Sequence, residues 1–143
     1  GLPNIRTTIN RHGVNYAHVL IGNPHAVINL ADNNISKKNY QDVAIDIQST
    51  WKDGINVGFM SIIDKNSIQL KVFERGSGFT MACGSGACAA AAVAISKNKL
   101  ETPITVNMDG GVVQIDWDKK NTMILSGSAE ISFEGEVNLN AYI

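Results

Sequence analysis

The chain reads as an α+β domain: a curved, barrel-like, mostly antiparallel sheet wrapped around one central alanine-rich helix. Three observations predict this. Short strand-like segments recur along most of the 143 residues, separated by turn residues. One helix-length segment, Gly84 to Lys97, carries Ala87, Ala89, Ala90, Ala91, Ala92 and Ala94 together with Val93 and Ile95. It is apolar on every face, so it must be buried on every face, and alanine lets neighbouring backbone approach from all sides. No low-complexity linker or internal repeat divides the sequence, which gives a single domain over residues 1–143.

The elements follow in order. Val14 to Gly22 is expected as a strand, broken by Asn23-Pro24, and His25 to Leu30 resumes it with Ala26, Val27, Ile28 and Leu30. Asp32 to Asn34 reads as a turn. Ser36 is placed to cap a modest helix through Tyr40, Val43, Ala44 and Ile47, which recur at helical spacing. Val57 to Ile63 and Ile68 to Phe73 read as two strands joined by the hairpin-like link Asp64-Lys65-Asn66-Ser67. Gly76-Ser77-Gly78 makes a flexible break before the apolar helix. Ile104 to Met108, Val112 to Trp117, Met123 to Leu125 and Ala129 to Phe133 read as four more strands, with Asp109-Gly110 as a turn between the first two.

Composition narrows the function. Hydrophobic content of 44% and charged content of 17% are those of an ordinary globular domain. Net charge is −1, and the lysine pairs Lys37-Lys38 and Lys119-Lys120 are isolated, which argues against nucleic acid as a partner. The longest apolar run, Ala87 to Ile95, is too short to span a membrane. Two cysteines five positions apart do not make a disulfide framework; they fit unpaired thiols in a reducing, cytoplasmic compartment. Gly1 reads as a scar of tag removal.

The chemistry concentrates at the start of the alanine-rich helix. Ala82-Cys83-Gly84-Ser85-Gly86-Ala87-Cys88 places a thiol at a helix mouth among residues too small to shield it. A helix N-terminus offers free N–H groups and about half a positive charge, so a carboxylate could sit on the amides of Gly84, Ser85 and Gly86. The same field favours the thiolate of Cys83. A dipole contribution of up to ~2 kcal/mol, about 1.5 pKa units, would bring a thiol from about 8.5 to near 7. A small buried cysteine before a glycine turn fits the bare pattern as well. Glu74-Arg75 could hold an ammonium and a carboxylate, or could be a solvated pair. Asn23-Pro24-His25 could present an amide and an imidazole at a strand break, or simply turn; Asn56 before a strand also reads as turn chemistry alone.

Competing readings of these residues are weaker. Gly84-x-Gly86-x-x-Ala89 superficially matches a dinucleotide fingerprint, but Ile104 stands where an acidic residue is needed and no alternation of strands and helices follows. No histidine follows Cys83 or Cys88 at a ligand spacing, so no metal site is expected. A Cys-His hydrolase with His25 as base is conceivable. His12 and His18 have no evident partner and read as surface or strand residues. Cys88 reads as helix core.

Four segments together resemble one family. Gly22-Asn23-Pro24-His25-Ala26-Val27, Asn56-Val57-Gly58-Phe59-Met60, Glu74-Arg75-Gly76-Ser77-Gly78 and Ala82-Cys83-Gly84-Ser85-Gly86-Ala87-Cys88-Ala89-Ala90 occur in this order and at similar spacing in the C-terminal half of diaminopimelate epimerases. The resemblance covers nearly the whole chain, and the motifs are specific together rather than singly. It implies a barrel-like sheet around a central helix and a cofactor-independent isomerase of amino acids. It further implies two cysteines on opposite faces of the substrate α-carbon, interconverting LL- and meso-diaminopimelate for lysine and peptidoglycan precursors. By this resemblance Cys83 is one catalytic cysteine, and Gly84 and Ser85 bind the α-carboxylate through their N–H groups. Glu74 holds the α-ammonium and, with His25, adjusts the cysteine pKa. Asn23, Asn56 and Arg75 read the distal amino-acid end.

Two departures from the family stand out. Phe79 occupies a position where the family often has glutamate. The second catalytic cysteine belongs to an N-terminal domain with its own Cys-Gly-Asn-Gly type loop, which is missing from these residues. Cys88 cannot replace it, because it lies on the same helix about 7.5 Å further along the axis. The resemblance therefore implies half an enzyme, inactive alone, with exposed apolar surface that awaits the other domain or is covered by self-association into a homodimer. Residues Glu136 to Ile143, which in the family reach into the other domain, are expected to be loose or borrowed by a neighbour. A proline racemase-like enzyme of the same fold is the nearest alternative, although a ring amino acid offers Asn23, Asn56 and Arg75 no second polar end. A non-catalytic binding domain on this scaffold is the alternative of a different class.

Overall fold

The computed structural model describes residues 3–142. Gly1 and Ile143, and with them the reading of Gly1 as a scar, lie outside the described residues. Nine strands form one sheet: β1 (Asn4–Arg11), β2 (Val14–Leu20), β3 (Pro24–Asn29), β4 (Asn56–Asp64), β5 (Ser67–Glu74), β6 (Gly78–Thr80), β7 (Ile104–Met108), β8 (Gly111–Asp116) and β9 (Ile124–Ser126). Among the described residues, two α-helices, α1 (Tyr40–Ser49) and α2 (Gly84–Lys97), accompany the sheet. The sheet order is β1-β2-β3-β4-β5-β7-β8-β9, with β6 added to β5. Pairing is antiparallel except for β3 with β4 and β5 with β7, the two places where a helix carries the chain across.

The alternation of side chains sorts the core into two layers. On one face Ala17, Val19, Val27, Met60, Leu70, Val72, Val106 and Ile115 close around α2, whose residues from Ala89 to Ile95 are all buried. Strands β2 to β5, β7 and β8 supply this wrap, and alanine is what lets them approach the helix. On the other face Tyr16, Ala26, Ile28, Ile55, Val57, Phe59 and Phe73 pack under Ala44 and Ile47 of α1. The expected curved sheet around an alanine-rich helix is therefore observed, with α1 as a second, outer layer.

The edge of β5 opposite β4 is divided in a way that positions the site. Its first residues, Ser67–Gln69, pair with Thr105–Asn107 of β7, and its last, Val72–Glu74, pair with β6. Between these two partners the chain leaves β6, passes Met81 and enters α2 at Cys83. The N-terminus of α2 consequently emerges at one end of the wrap, next to the ends of β3 and β5.

Several local expectations change. Gly76-Ser77-Gly78 is not merely a break: Gly76 and Gly78 take φ of +80° and +72°, which turns the chain back so that Gly78–Thr80 can pair as β6. Strand β1, rich in Thr, Asn and Arg, carries little apolar alternation because it is an edge strand with a largely solvated surface. Ala129 to Phe133 is not a strand. Among the described residues it has no ladder partner, and Ile131 and Phe133 are 80% and 87% exposed. Ser36 precedes a 3-10 turn at Lys37–Asn39 but its side chain makes no capping bond. Residues 136–142 end in an exposed 3-10 turn at Leu139–Tyr142. No described helix is long and apolar enough to cross a membrane.

Candidate active site

Cys83 is the N-cap residue of α2, with extended φ and ψ of −146° and 108°. Its Sγ accepts a hydrogen bond from the Gly86 N–H at 3.4 Å, the capping role usually played by an oxygen. Glycine at 86 makes this possible by close approach. A Cβ there would lie 3.0 Å from Val72 Cγ2 and 3.1 Å from Cys83 Sγ. The N–H groups of Gly84 and Ser85 head the helix without an acceptor among the described residues. Gly84 itself is exposed and Cys83 half-buried, so the sulfur is accessible at the helix mouth.

A polar chain runs from β3 to this sulfur. His25 Nε2 lies 3.2 Å from Asn23 Oδ1 and 3.1 Å from Ser85 Oγ, and Asn23 Nδ2 lies 3.4 Å from the same hydroxyl. An amide oxygen only accepts, so His25 Nε2–H donates; its single proton is shared between Asn23 Oδ1 and Ser85 Oγ, and Ser85 Oγ also receives from Asn23 Nδ2. The single Ser85 proton is then free to point at Cys83 Sγ, 3.8 Å away. Burial lowers the His25 pKa to about 4, against a smaller upward pull from Glu74, so the ring is neutral near pH 7.

The thiol itself departs from the expectation of a lowered pKa. Burial pushes Cys83 up, and the Gly86 N–H and the Ser85 hydroxyl pull it down by lesser amounts. The nearby Glu74 carboxylate adds to the rise, because a second negative charge disfavours the thiolate. The helix mouth lowers the pKa as anticipated, but half-burial outweighs it. Near pH 7 Cys83 is therefore a thiol, a proton donor rather than a base. Cys88, one turn further along α2, is also pushed up by burial and packs against the core around the helix.

Glu74 and Arg75 diverge as adjacent strand residues should. Glu74 closes the α2 side of β5, where Thr80 Oγ1 donates to its Oε1 at 2.8 Å. Arg75 is braced at the strand end: its N–H donates to Asn56 Oδ1 at 2.8 Å and its Nη1 donates to the Asp53 carbonyl at 2.6 Å. The arginine side chain lies directly across Gly54, whose φ of +75° and missing Cβ leave the space for it. The structure thus gathers Asn23, His25, Glu74, Cys83, Gly84 and Ser85 around the α2 N-terminus, with Asn56 and Arg75 as a neighbouring pair.

Three residues near the site escaped the sequence reading. Thr80 and Gly54 gave no signal beyond loop chemistry. Gly110 reads only as a turn in the sequence, yet its N–H donates to the Met81 carbonyl at 2.6 Å and ties the β7–β8 turn to the segment leading into Cys83. Phe79, on the opposite face of β6, lies edge-on to Phe73 at 4.9 Å, with Lys71 Nζ 5.2 Å from its ring centre. Two further histidines lie where a surface or strand residue was expected: His12 is exposed in the β1–β2 turn, where it gains Asp46 as a partner at 3.0 Å, and His18 is on strand β2, buried against Trp51.

This half-barrel recurs in solved structures. A probable proline racemase from Agrobacterium radiobacter K84 with bound carbonate matches with a TM-score of 0.58 at 12% identity, over 80% of this chain and 42% of that one. A phenazine biosynthesis protein of the PhzF family from Enterococcus faecalis matches with a TM-score of 0.55 at 17% identity, over 81% of this chain and 40% of that one. At such identities the likeness shows the fold alone: the half-barrel shared by proline racemase-like and PhzF-family proteins. Sequence narrows it further. The diaminopimelate epimerase family model matches residues 17–132. A diaminopimelate epimerase from Nitrosomonas eutropha is 43% identical over 122 residues, which is 85% of this chain and 44% of that protein. The chain belongs to the diaminopimelate epimerase family, and it spans less than half the length of this curated relative.

Proposed function

We propose that this domain supplies one side of the catalytic cleft of a cofactor-independent amino-acid epimerase acting on LL- and meso-diaminopimelate, with Cys83 as one of two proton-transferring thiols. The observation that carries this reading is the Cys83 sulfur at the α2 N-cap, between a carboxylate and helix amides that have no acceptor among the described residues. A substrate α-carboxylate accepts from the N–H groups of Gly84 and Ser85, which favours negative charge there. The α-ammonium pairs with Glu74. Burial is the main reason that the thiol stays protonated; the pairing cancels the smaller upward push of Glu74, so substrate binding itself brings Cys83 closer to a proton-exchanging state. Asn23, Asn56 and Arg75 take the distal amino-acid end.

In the reaction, a thiolate on one face of the α-carbon removes the proton and leaves its electron pair on carbon, next to the bound carboxylate. The opposite thiol delivers its proton to that pair. The two sulfurs end with their protonation states exchanged, so Cys83 is acid in one direction and base in the other. Among these 143 residues the other thiol is Cys88, which sits on the same helix and cannot face Cys83 across a substrate. The second thiol therefore belongs to a partner domain outside them. Met81, Ile124 and Leu125, which are 63%, 62% and 43% exposed, offer apolar surface for its docking.

The test is exchange of the substrate α-proton with solvent deuterium, followed with LL-diaminopimelate. The chain alone is expected to give none at enzyme-like rates. Addition of a family N-terminal half carrying the second cysteine is expected to restore exchange, and Cys83→Ser is expected to remove it. Exchange by the isolated chain, or restored activity that survives Cys83→Ser, would overturn the proposal.

A further inference from the structure

The geometry points to Thr80 as a positioning residue: its hydroxyl, donating to Glu74 Oε1 at 2.8 Å, fixes that carboxylate on the α2 side of β5, beside the Cys83 thiol. This deepens the reading of Cys83 and Glu74 as one proton-transfer unit and rests on it.

Strand β6 has only three residues, and its register explains its presence. Val72 pairs with Thr80, Phe73 with Phe79 and Glu74 with Gly78. Side chains on directly opposed residues share a face, so Thr80 points to the α2 side with Val72, and Glu74 is its diagonal neighbour on that side. Thr80 is itself held in place from elsewhere. Phe79 is clamped on the outer face by Phe73 and Lys71, and the Met81 carbonyl is tied to the Gly110 N–H. The hydroxyl is thus presented by a pinned strand rather than drawn in by Glu74. Apart from the Cys83 thiol itself, it is the side-chain hydrogen-bond donor to Glu74 among the described residues. One carboxylate oxygen is consequently occupied, and the other is left for an ammonium or for the thiol.

The ionisable groups that face Cys83 are Glu74 from β5, Cys88 along α2 and, through Ser85, the neutral His25 from β3. Of these, Glu74 is the one whose charge pushes the thiol up. If Thr80 holds it in place, loss of the hydroxyl frees the carboxylate to swing toward solvent and weakens its upward push on the thiol. The same loss on a merely structural strand would change stability without moving the titration of a sulfur three residues away.

The experiment is the pH profile of Cys83 alkylation by iodoacetamide, in this chain with Cys88→Ala so that one thiol reports. Glu74→Gln is expected to shift the thiol titration downward. Thr80→Val is expected to shift it in the same direction, and a shift of half a pKa unit reads as about threefold faster alkylation at pH 7. Thr80→Ser keeps the donor and is expected to retain the parental profile. Thr80→Val combined with Glu74→Gln is expected to match Glu74→Gln alone, since both act through one carboxylate. A parental profile for Thr80→Val, an absent shift in Glu74→Gln, or shifts that add in the double variant would each overturn the inference. Should the valine variant fail to fold, Thr80→Ala serves with the same outcomes. No substrate or second thiol takes part, so this result stands or falls separately from the deuterium-exchange assay.

Discussion

Acidification should destabilise this domain before its carboxylates protonate, and His25 is the reason. The ring is 1% exposed and its pKa is lowered to about 4, from 6.5, mainly by burial. A histidine depressed in the folded state binds its proton more readily when unfolded. The stability it gives is therefore full above the unfolded value and is lost as pH falls from 6.5 toward 4. The whole difference, about 2.5 units at 1.36 kcal/mol each, is on the order of 3 kcal/mol. Integrated over the window, about 2 kcal/mol of it disappears between pH 7 and pH 5. His18, also lowered by burial, adds loss in the same direction. Asp46, Asp64 and Asp118 are held below the usual carboxylate value by hydrogen bonds, so their contributions fade mainly below about pH 5 and leave the span from pH 7 to pH 5 to the histidines. Urea unfolding at pH 7, 6 and 5 measures the slope. The same series on His25→Gln, which keeps a polar group near Ser85 but cannot titrate, isolates the share of His25. Proton NMR of the ring gives its pKa directly. Equal pH dependence in parent and variant, or a His25 ring that titrates near 6.5, would refute the reasoning.

Two further perturbations test the packing that positions the sulfur. Gly86→Ala puts a methyl group 3.0 Å from Val72 Cγ2 and 3.1 Å from Cys83 Sγ, so the first turn of α2 must shift. We expect a loss of about 1–3 kcal/mol in thermal or urea unfolding, together with an altered Cys83 alkylation profile; an unchanged profile would show that the N-cap bond to sulfur does not matter. Ala90→Leu forces three extra carbons into a fully buried site where strands wrap the helix. A loss of at least about 2 kcal/mol, or failure to fold, is expected from the same melts, and a neutral result would mean that the wrap is looser than the described burial implies.

Some of the architecture is legible directly from residue order. A helix that is alanine on every side can only be buried on every side, so α2 and the curvature of the sheet around it follow from composition and periodicity. The strands flanking His25, Phe59 and Leu70 announce themselves by β-branched and apolar runs, and the hairpin at Asp64 to Ser67 by its polar link. Edge elements are different. β1 and β6 expose one side to water and need only a few apolar positions, whereas Ala129 to Phe133 has the alternation of a strand and no partner to pair with. Hydrogen bonding to a neighbour, not side-chain pattern, decides which of these becomes a strand.

The site divides along the same line. Sequence by itself determined that a thiol heads a helix and that Asn23, His25, Glu74, Arg75 and Ser85 are the polar residues of interest. Only the tertiary structure decided how they combine: Ser85 links His25 to Cys83, Thr80 fastens Glu74, and Arg75 lies over Gly54 rather than beside Glu74. It also decided the sign of the pKa shift on Cys83. The field of a helix N-terminus can be read from position, but the desolvation that outweighs it depends on what the folded chain packs around the sulfur, and that is a property of three-dimensional neighbours rather than of sequence.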